Sequence, residues 1–131
     1  MSAQPNTGMH PTTFENPMGV DGFEFVEFAA PDPKLLHDLF KRLGFTPVAR
    51  HKTKTITLYR QGDCNLLVNE QADSFAADFA QKHGPCACSL AIRFSQPASE
   101  VLTATLANGA SVITHKAEPD AIDDPVIEGI G

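Results

Sequence analysis

The chain has 131 residues, 42% hydrophobic and 20% charged, with a formal net charge of −6. That size and balance predict one globular core. The acidic excess argues against a nucleic-acid or anionic-membrane surface, and no apolar run approaches the roughly 20 residues of a membrane helix.

Met1 to Pro17 is polar and contains Pro5, Gly8 and Pro11. It lacks the basic start and apolar centre of a signal peptide. Residues 1–15 are therefore expected to be a flexible lead-in to a domain over 16–131, in a cytoplasmic protein. Gly22 to Ala29 reads as a strand with both faces partly covered, because Phe23, Phe25 and Glu27 alternate with Glu24, Val26 and Phe28. Asp32 is the expected N-cap of a helix and Pro33 its first residue. Leu35, Leu36, Leu39, Phe40 and Leu43 then follow helical spacing, with His37, Asp38, Lys41 and Arg42 outward. Gly44 supplies a left-handed stop.

Phe45 to Ala49 and Thr55 to Arg60 are predicted strands, joined by the basic turn Arg50-His51-Lys52-Thr53-Lys54. That charge run is read as a solvated hairpin tip. Val48, Ile56 and Leu58 are expected in the core, while Tyr59 could point either way. Gln61-Gly62-Asp63 signals a tight turn into a strand over Asn65 to Asn69. Asp73 or Ser74 can cap a short linking helix with Phe75, Ala76, Phe79 and Ala80 inward and Gly84 at its end.

A second strand-to-helix passage starts at Cys86 to Phe94, with Pro97 opening a helix whose apolar side is Val101, Leu102 and Leu106. Asn108-Gly109 ends that helix. Ala110 to His115 reads as a strand, Ala117 to Asp124 as a loop and Val126 to Ile130 as the start of another strand. The order predicts an α+β fold of paired βαβββ units with helices on one face, the second unit lacking its last strand. An unfinished second unit suggests a piece of a larger protein, with an unpaired edge that favours association. Two such units form an open groove in which side chains from both first strands converge.

The cysteines are Cys64, Cys86 and Cys88. Cys86 and Cys88 are two apart on a strand and share a face, which disfavours a bridge. Buried free thiols and a reducing compartment are the expectation. No Ser-His-Asp order, P-loop or Gly-x-Gly-x-x-Gly signature is present. His10, His37, His51, His83 and His115 show no ligand-pair spacing. Glu24 and Glu27 are the polar residues to weigh in the first strand: either one faces the groove and binds a ligand, or they pair at the rim with Arg60 or Arg93. Arg93 could hold a carboxylate ligand bidentately, although an outward or paired Arg is the simpler expectation.

Asn16 to Phe28 resembles the start of the bacterial 4-hydroxyphenylpyruvate dioxygenase family, within the vicinal-oxygen-chelate (glyoxalase/bleomycin-resistance) superfamily. Leu43-Gly44-Phe45, Thr57 to Asp63, Ser74 to Ala80, His83-Gly84-Pro85 and Ile127 to Gly131 carry the same resemblance. It implies an N-terminal, non-catalytic domain. Its partner would be the C-terminal catalytic domain of the same protein, and a homo-oligomer is expected. The family holds Fe(II) through two His and one Glu of that C-terminal domain, so no cofactor is expected on this chain. The resemblance places the superfamily's metal-ligand position of each first strand at Phe25 and Ser89, and neither is a usual Fe(II) ligand. No catalytic, cofactor-binding or metal residue is therefore assigned. The alternatives are a dimeric small-molecule-binding module of the bleomycin-resistance type and, against Phe25 and Ser89, an independent glyoxalase or extradiol enzyme.

Overall fold

Val20–Ala29 forms strand β1, and Lys34–Arg42 forms helix α1. Strands β2 (Thr46–Arg50), β3 (Ile56–Gln61) and β4 (Cys64–Asn69) follow as a meander. Helix α2 (Phe75–His83) leads to β5 (Cys86–Phe94) and α3 (Ala98–Ala107). The computed structural model describes residues 15–112. The sheet order is β2-β3-β4-β1-β5, with β1 parallel to β4 and antiparallel to β5. The first βαβββ unit is complete, and β5 and α3 open the second. Ala110 to Val112 have no regular structure, so the strand expected from Ala110 does not start there. Its remainder to His115, the loop over Ala117 to Asp124, the strand at Val126 to Ile130 and the lead-in before Glu15 lie outside the described residues.

Register divides the side chains between two faces. Val26 is level with Leu66, and Leu66 with Tyr59; Phe28 is level with Val68, and Val68 with Thr57. On that face Leu36 and Phe40 of α1 pack against Tyr59 and Val68, with Phe28, Phe45 and Leu66 around them. The Phe28 and Phe40 rings meet edge-on at 5.1 Å. Glu27, Leu67 and Leu58 share the opposite face, where Leu58 and Leu67 are also buried.

Helix α1 differs from the sequence expectation in three ways. Pro33, not Asp32, occupies the N-cap, although Asp32 Oδ1 still accepts from the Lys34 amide at 3.2 Å. Only Leu36 and Phe40 are buried; Leu35, Leu39 and Leu43 are 51%, 41% and 56% exposed. The helix meets the sheet along one narrow line, and residues well off that line stay in solvent. His37 lies at the edge of the line and turns inward, not outward. Gly44 follows with φ +90°, the left-handed conformation that ends the helix.

Other expected core positions are exposed for similar local reasons. Val48 is half-exposed because the edge strand β2 shifts register between Pro47 and Ala49. The small residues Ala76 and Ala80 let α2 approach Ala29, Cys86 and Cys88 closely, and this leaves Phe75 on the outside. In α3 Val101 alone is buried, and Leu102 and Leu106 are exposed. Ser74 is the α2 cap, its hydroxyl accepting from the Ala77 amide at 3.1 Å. The basic turn is closed by His51, whose Nδ1 accepts from the amides of Thr53 and Lys54, both at 3.1 Å.

The Asn16-Pro17-Met18-Gly19 segment forms a clasp at the start of β1. Asn16 Oδ1 accepts from the Val20 amide at 2.8 Å, and its Nδ2 donates to the Val20 carbonyl at 3.0 Å. Ser95 and Gln96, just past β5, bind back to the carbonyls of Gly19 and Pro17, both at 2.8 Å. The clasp thus ties the first strand of one unit to the end of the first strand of the next.

Candidate functional site

The two first strands, β1 and β5, bring Glu27 directly opposite Ser89. Ser89 Oγ donates to Glu27 Oε2 at 2.6 Å. From the other side, Asn69 Nδ2 donates to Glu27 Oε1 at 2.6 Å. Asn69 Oδ1 is held in turn by the Gln71 amide at 2.9 Å. Period-two alternation places the Glu27 side chain with Leu67, and its carboxylate bridges β4, β1 and β5. The convergence expected of the two first strands is thus present, with Glu27 and Ser89 as its members. Phe25, the other position considered, is level with Ala91 and not with Ser89.

Toward the N-terminal end of β1, Arg93 Nε donates to Glu24 Oε2 at 2.7 Å, with both side chains partly exposed. This charge-assisted bond, with the added attraction of the Glu24 charge, raises the Arg93 pKa. Arg60 does not join that pair. Its Nε donates to Asn65 Oδ1 at 2.8 Å, and Asn65 Nδ2 donates to the Glu24 carbonyl at 3.1 Å. Glu24 is therefore a carboxylate paired with Arg93, and Glu27 is held by the neutral donors Asn69 and Ser89.

A second polar cluster lies on the α1 face and escaped the sequence reading. His37 Nδ1 is 2.7 Å from the Tyr59 hydroxyl, and His37 Nε2 is 3.0 Å from Glu70 Oε2. Tyr59 is 1% exposed, and burial, then the Glu70 charge, pushes its phenol above its ordinary pKa. The available signal was Tyr59 alternating with Leu58, which puts the two on opposite faces, and His37 three residues before the buried Phe40 on the same side of the helix. Its partner Glu70 comes from just beyond β4 and shows no pattern in the chain.

The cysteines are free, but Cys64 is exposed, contrary to the expectation of burial, because it starts β4 beside the Gly62 turn. Cys86 and Cys88 are partly buried against α2. Burial, with the Glu27 charge second, pushes the Cys88 thiol up to about 11.

An iron site of two imidazoles and one carboxylate requires His side chains facing the same space. The Glu27 cluster offers one carboxylate, one amide and one hydroxyl, with both carboxylate oxygens already accepting hydrogen bonds. Among the described residues no three His, Cys, Asp or Glu side chains converge on a common point. The described residues do not fit the iron of the family.

The family model for the N-terminal region of hydroxyphenylpyruvate dioxygenase (HPPD) matches residues 14–131. The chain belongs to the HPPD N-terminal domain family. A 4-hydroxyphenylpyruvate dioxygenase of Pseudomonas sp. (strain P.J. 874) is 42% identical over 118 residues, which is 90% of this chain and 33% of that protein. The chain thus spans about a third of the length of the curated relatives that it matches first. Among solved structures, a xylose isomerase-like TIM barrel/4-hydroxyphenylpyruvate dioxygenase fusion protein superposes with a TM-score of 0.66 at 32% identity, covering 87% of this chain and 19% of that one. A methylmalonyl-CoA epimerase from Mycobacterium tuberculosis shares the fold, with a TM-score of 0.63 at 19% identity over 83% of this chain and 78% of that one. The vicinal-oxygen-chelate fold expected of the HPPD resemblance is therefore the fold of this chain. No helix among the described residues is long and apolar enough to cross a membrane.

Proposed function

We propose that this chain is the non-catalytic N-terminal domain of a two-domain 4-hydroxyphenylpyruvate dioxygenase of tyrosine catabolism. The intact enzyme converts 4-hydroxyphenylpyruvate and O2 to homogentisate and CO2. Its Fe(II) is held by the C-terminal domain, against which residues 16–131 pack. The observation that carries this reading is the donor set where β1 and β5 converge: Glu27 engaged by Asn69 and Ser89, without an imidazole. The match to about the N-terminal third of dioxygenases supports the same division of labour. Free cysteines support a reducing cytoplasm as its compartment.

The test is Fe(II)-dependent O2 consumption with 4-hydroxyphenylpyruvate, measured on this chain and on the longer product side by side. Turnover by the longer protein alone is the expected result. Turnover by this chain alone overturns the reading and returns Glu24, Glu27 and the histidines to the list of ligands.

A further inference from the structure

Helix α3 ends at Asn108, its C-cap, and Gly109 follows with φ +93°. Both residues are exposed, and a Cβ built at Gly109 would meet nothing within 4 Å. The glycine nitrogen has neither a side chain beside it nor packed atoms around it. An asparagine amide carbon and the next backbone nitrogen can close a cyclic imide, and a following glycine obstructs that attack least. The other asparagines with described surroundings are poorer candidates. Asn16 precedes Pro17, which has no N–H to lose. Asn65 and Asn69 precede Leu66 and Glu70, whose side chains flank the nitrogen, and both amides donate across the sheet.

The cap opposes ring closure at each reacting atom. Asn108 Nδ2, the leaving group, donates to the Ala104 carbonyl at 2.8 Å. The attacking nitrogen, Gly109 N–H, donates to the Leu106 carbonyl at 3.1 Å. Asn108 ψ is 13°, which turns that nitrogen away from the Asn108 side chain. Ring closure needs a strongly negative ψ, with the nitrogen eclipsing Cβ. The rotation that brings the two atoms together therefore breaks the Gly109 hydrogen bond. Only Val101 of α3 is buried, so little side-chain packing holds the last turn shut, and helix ends open more readily than helix centres.

We propose that Asn108-Gly109 is a self-modifying site, converted to aspartate and isoaspartate through a cyclic imide when the last turn of α3 opens. Hydroxide removes the Gly109 amide proton, and the nitrogen attacks Asn108 Cγ. The new N–Cγ bond forms, the Cγ–Nδ2 bond breaks, and Nδ2 takes a proton from water and leaves as ammonia. Water then opens the ring. Attack at Cγ gives aspartate, and attack at the Asn108 main-chain carbonyl gives isoaspartate. Overall a water is consumed and an ammonia released. Either product puts a carboxylate at the negative end of the α3 dipole and loses the Nδ2 bond to Ala104, so the opened end does not close as before. The site does not depend on the dioxygenase reading.

Peptide mass analysis of the chain aged at mildly alkaline pH, folded and in urea, tests it. In urea Asn108 is expected to convert fastest of all the asparagines, with isoaspartate as the major product. In the folded chain the same residue converts about tenfold or more slowly, because the bonds to Ala104 and Leu106 must break first. Ala107→Gly loosens the last turn and leaves both reacting residues in place. It is expected to speed the folded-state reaction about twofold to fivefold and to leave the rate in urea unchanged. Asn108→Gln, which would need a larger ring, loses the product in both states. A folded chain that yields no product at Asn108, or that converts another asparagine first, overturns the proposal. So does a folded rate equal to the rate in urea, or one that Ala107→Gly does not change, since the cap then gates nothing.

Discussion

The Tyr59 hydroxyl is buried against α1 with His37 Nδ1 at 2.7 Å, which makes the imidazole its hydrogen-bond partner and joins helix to sheet. In the neutral tautomer whose Nε2–H donates to Glu70, Nδ1 accepts the phenol proton. His37→Phe keeps a ring in place but leaves a buried hydroxyl without this acceptor. Such a loss costs about 1–3 kcal/mol. Tyr59→Phe on its own costs less, and in the double variant most of the His37→Phe penalty disappears, because no hydroxyl remains to satisfy. Urea midpoints of the four proteins measure this. A penalty for His37→Phe that persists undiminished in the Tyr59→Phe background would show that the hydrogen bond is not its source.

Tyr59 is also the only tyrosine, and the chain has no tryptophan, so ultraviolet absorbance near the phenolate band reports this residue alone. Burial and Glu70 raise its pKa above 10. A raised folded pKa means that the native state favours the protonated phenol. The resulting stability is complete below the unfolded pKa of 10 and is lost as pH rises through the folded value. Denaturation midpoints should therefore hold through neutral pH and fall above 10. The absorbance titration should lag that of the urea-unfolded chain. A native titration that coincides with the unfolded one contradicts the burial argument.

Much of the fold was legible because it rests on local chemistry. Gly44 and the Gln61-Gly62-Asp63 turn mark boundaries by backbone conformation, Ser74 by its capping hydroxyl, and β5 starts and ends where its composition changes. The misassigned residues depend on what lies across from them. Leu35, Leu39 and Leu43 have the same helical spacing as Leu36 and Phe40, and only the position of the sheet separates them. Val48 carries strand character, but a register shift removes it from the core. At the site, Glu27 and Ser89 were both singled out, yet their direct contact required the irregular β1–β5 register, with its shift between Glu27 and Phe28. His37 was placed outward because a histidine beside an apolar stripe reads as surface until a buried phenol is known to face it.

Glu27 is expected to act in packing of the sheet. Glu27→Ala removes the acceptor shared by Asn69 and Ser89 and is expected to cost about 1–3 kcal/mol, with Ser89→Ala, at an exposed hydroxyl, at the lower end. Because Asn69 and Ser89 act through the same carboxylate, their losses in Glu27→Ala should add little further. Double-mutant cycles read by urea denaturation decide this. Full additivity of Glu27→Ala and Ser89→Ala would mean that the 2.6 Å contact carries no coupling.

Thiol chemistry should separate the three cysteines. Cys64 is exposed, whereas Cys88 is half-buried and its thiol is pushed up to about 11. The thiolate is the reactive form, so Cys88 stays protonated and slow at neutral pH. Limiting alkylation at pH 7.5, followed by peptide mass analysis, is expected to find Cys64 modified first and Cys88 last. Cys64→Ser should remove the fast phase. Equal labelling of Cys64 and Cys88 in the native chain would show that β5 opens faster than the reagent reacts.

Gly19 sits where the start of β1 meets Ser95, just past the end of β5. Its φ is +66°, and a Cβ built there would lie 1.9 Å from Ser95 Oγ. Gly19→Ala therefore meets two separate costs: a left-handed conformation disfavoured by about 1–2 kcal/mol for an L-residue, and displacement of the Ser95 side chain. Ser95→Gly removes the second cost and leaves the first. The Ser95 amide still donates to the Gly19 carbonyl at 2.8 Å in that background, so the clasp itself is preserved. Thermal unfolding is expected to rank the chains as parent, Gly19→Ala/Ser95→Gly, then Gly19→Ala, once each is corrected for Ser95→Gly alone. If the double variant recovers nothing, backbone strain accounts for the whole effect. If Gly19→Ala is as stable as the parent, the start of β1 is free to rearrange, and the clasp does not tie the two units together.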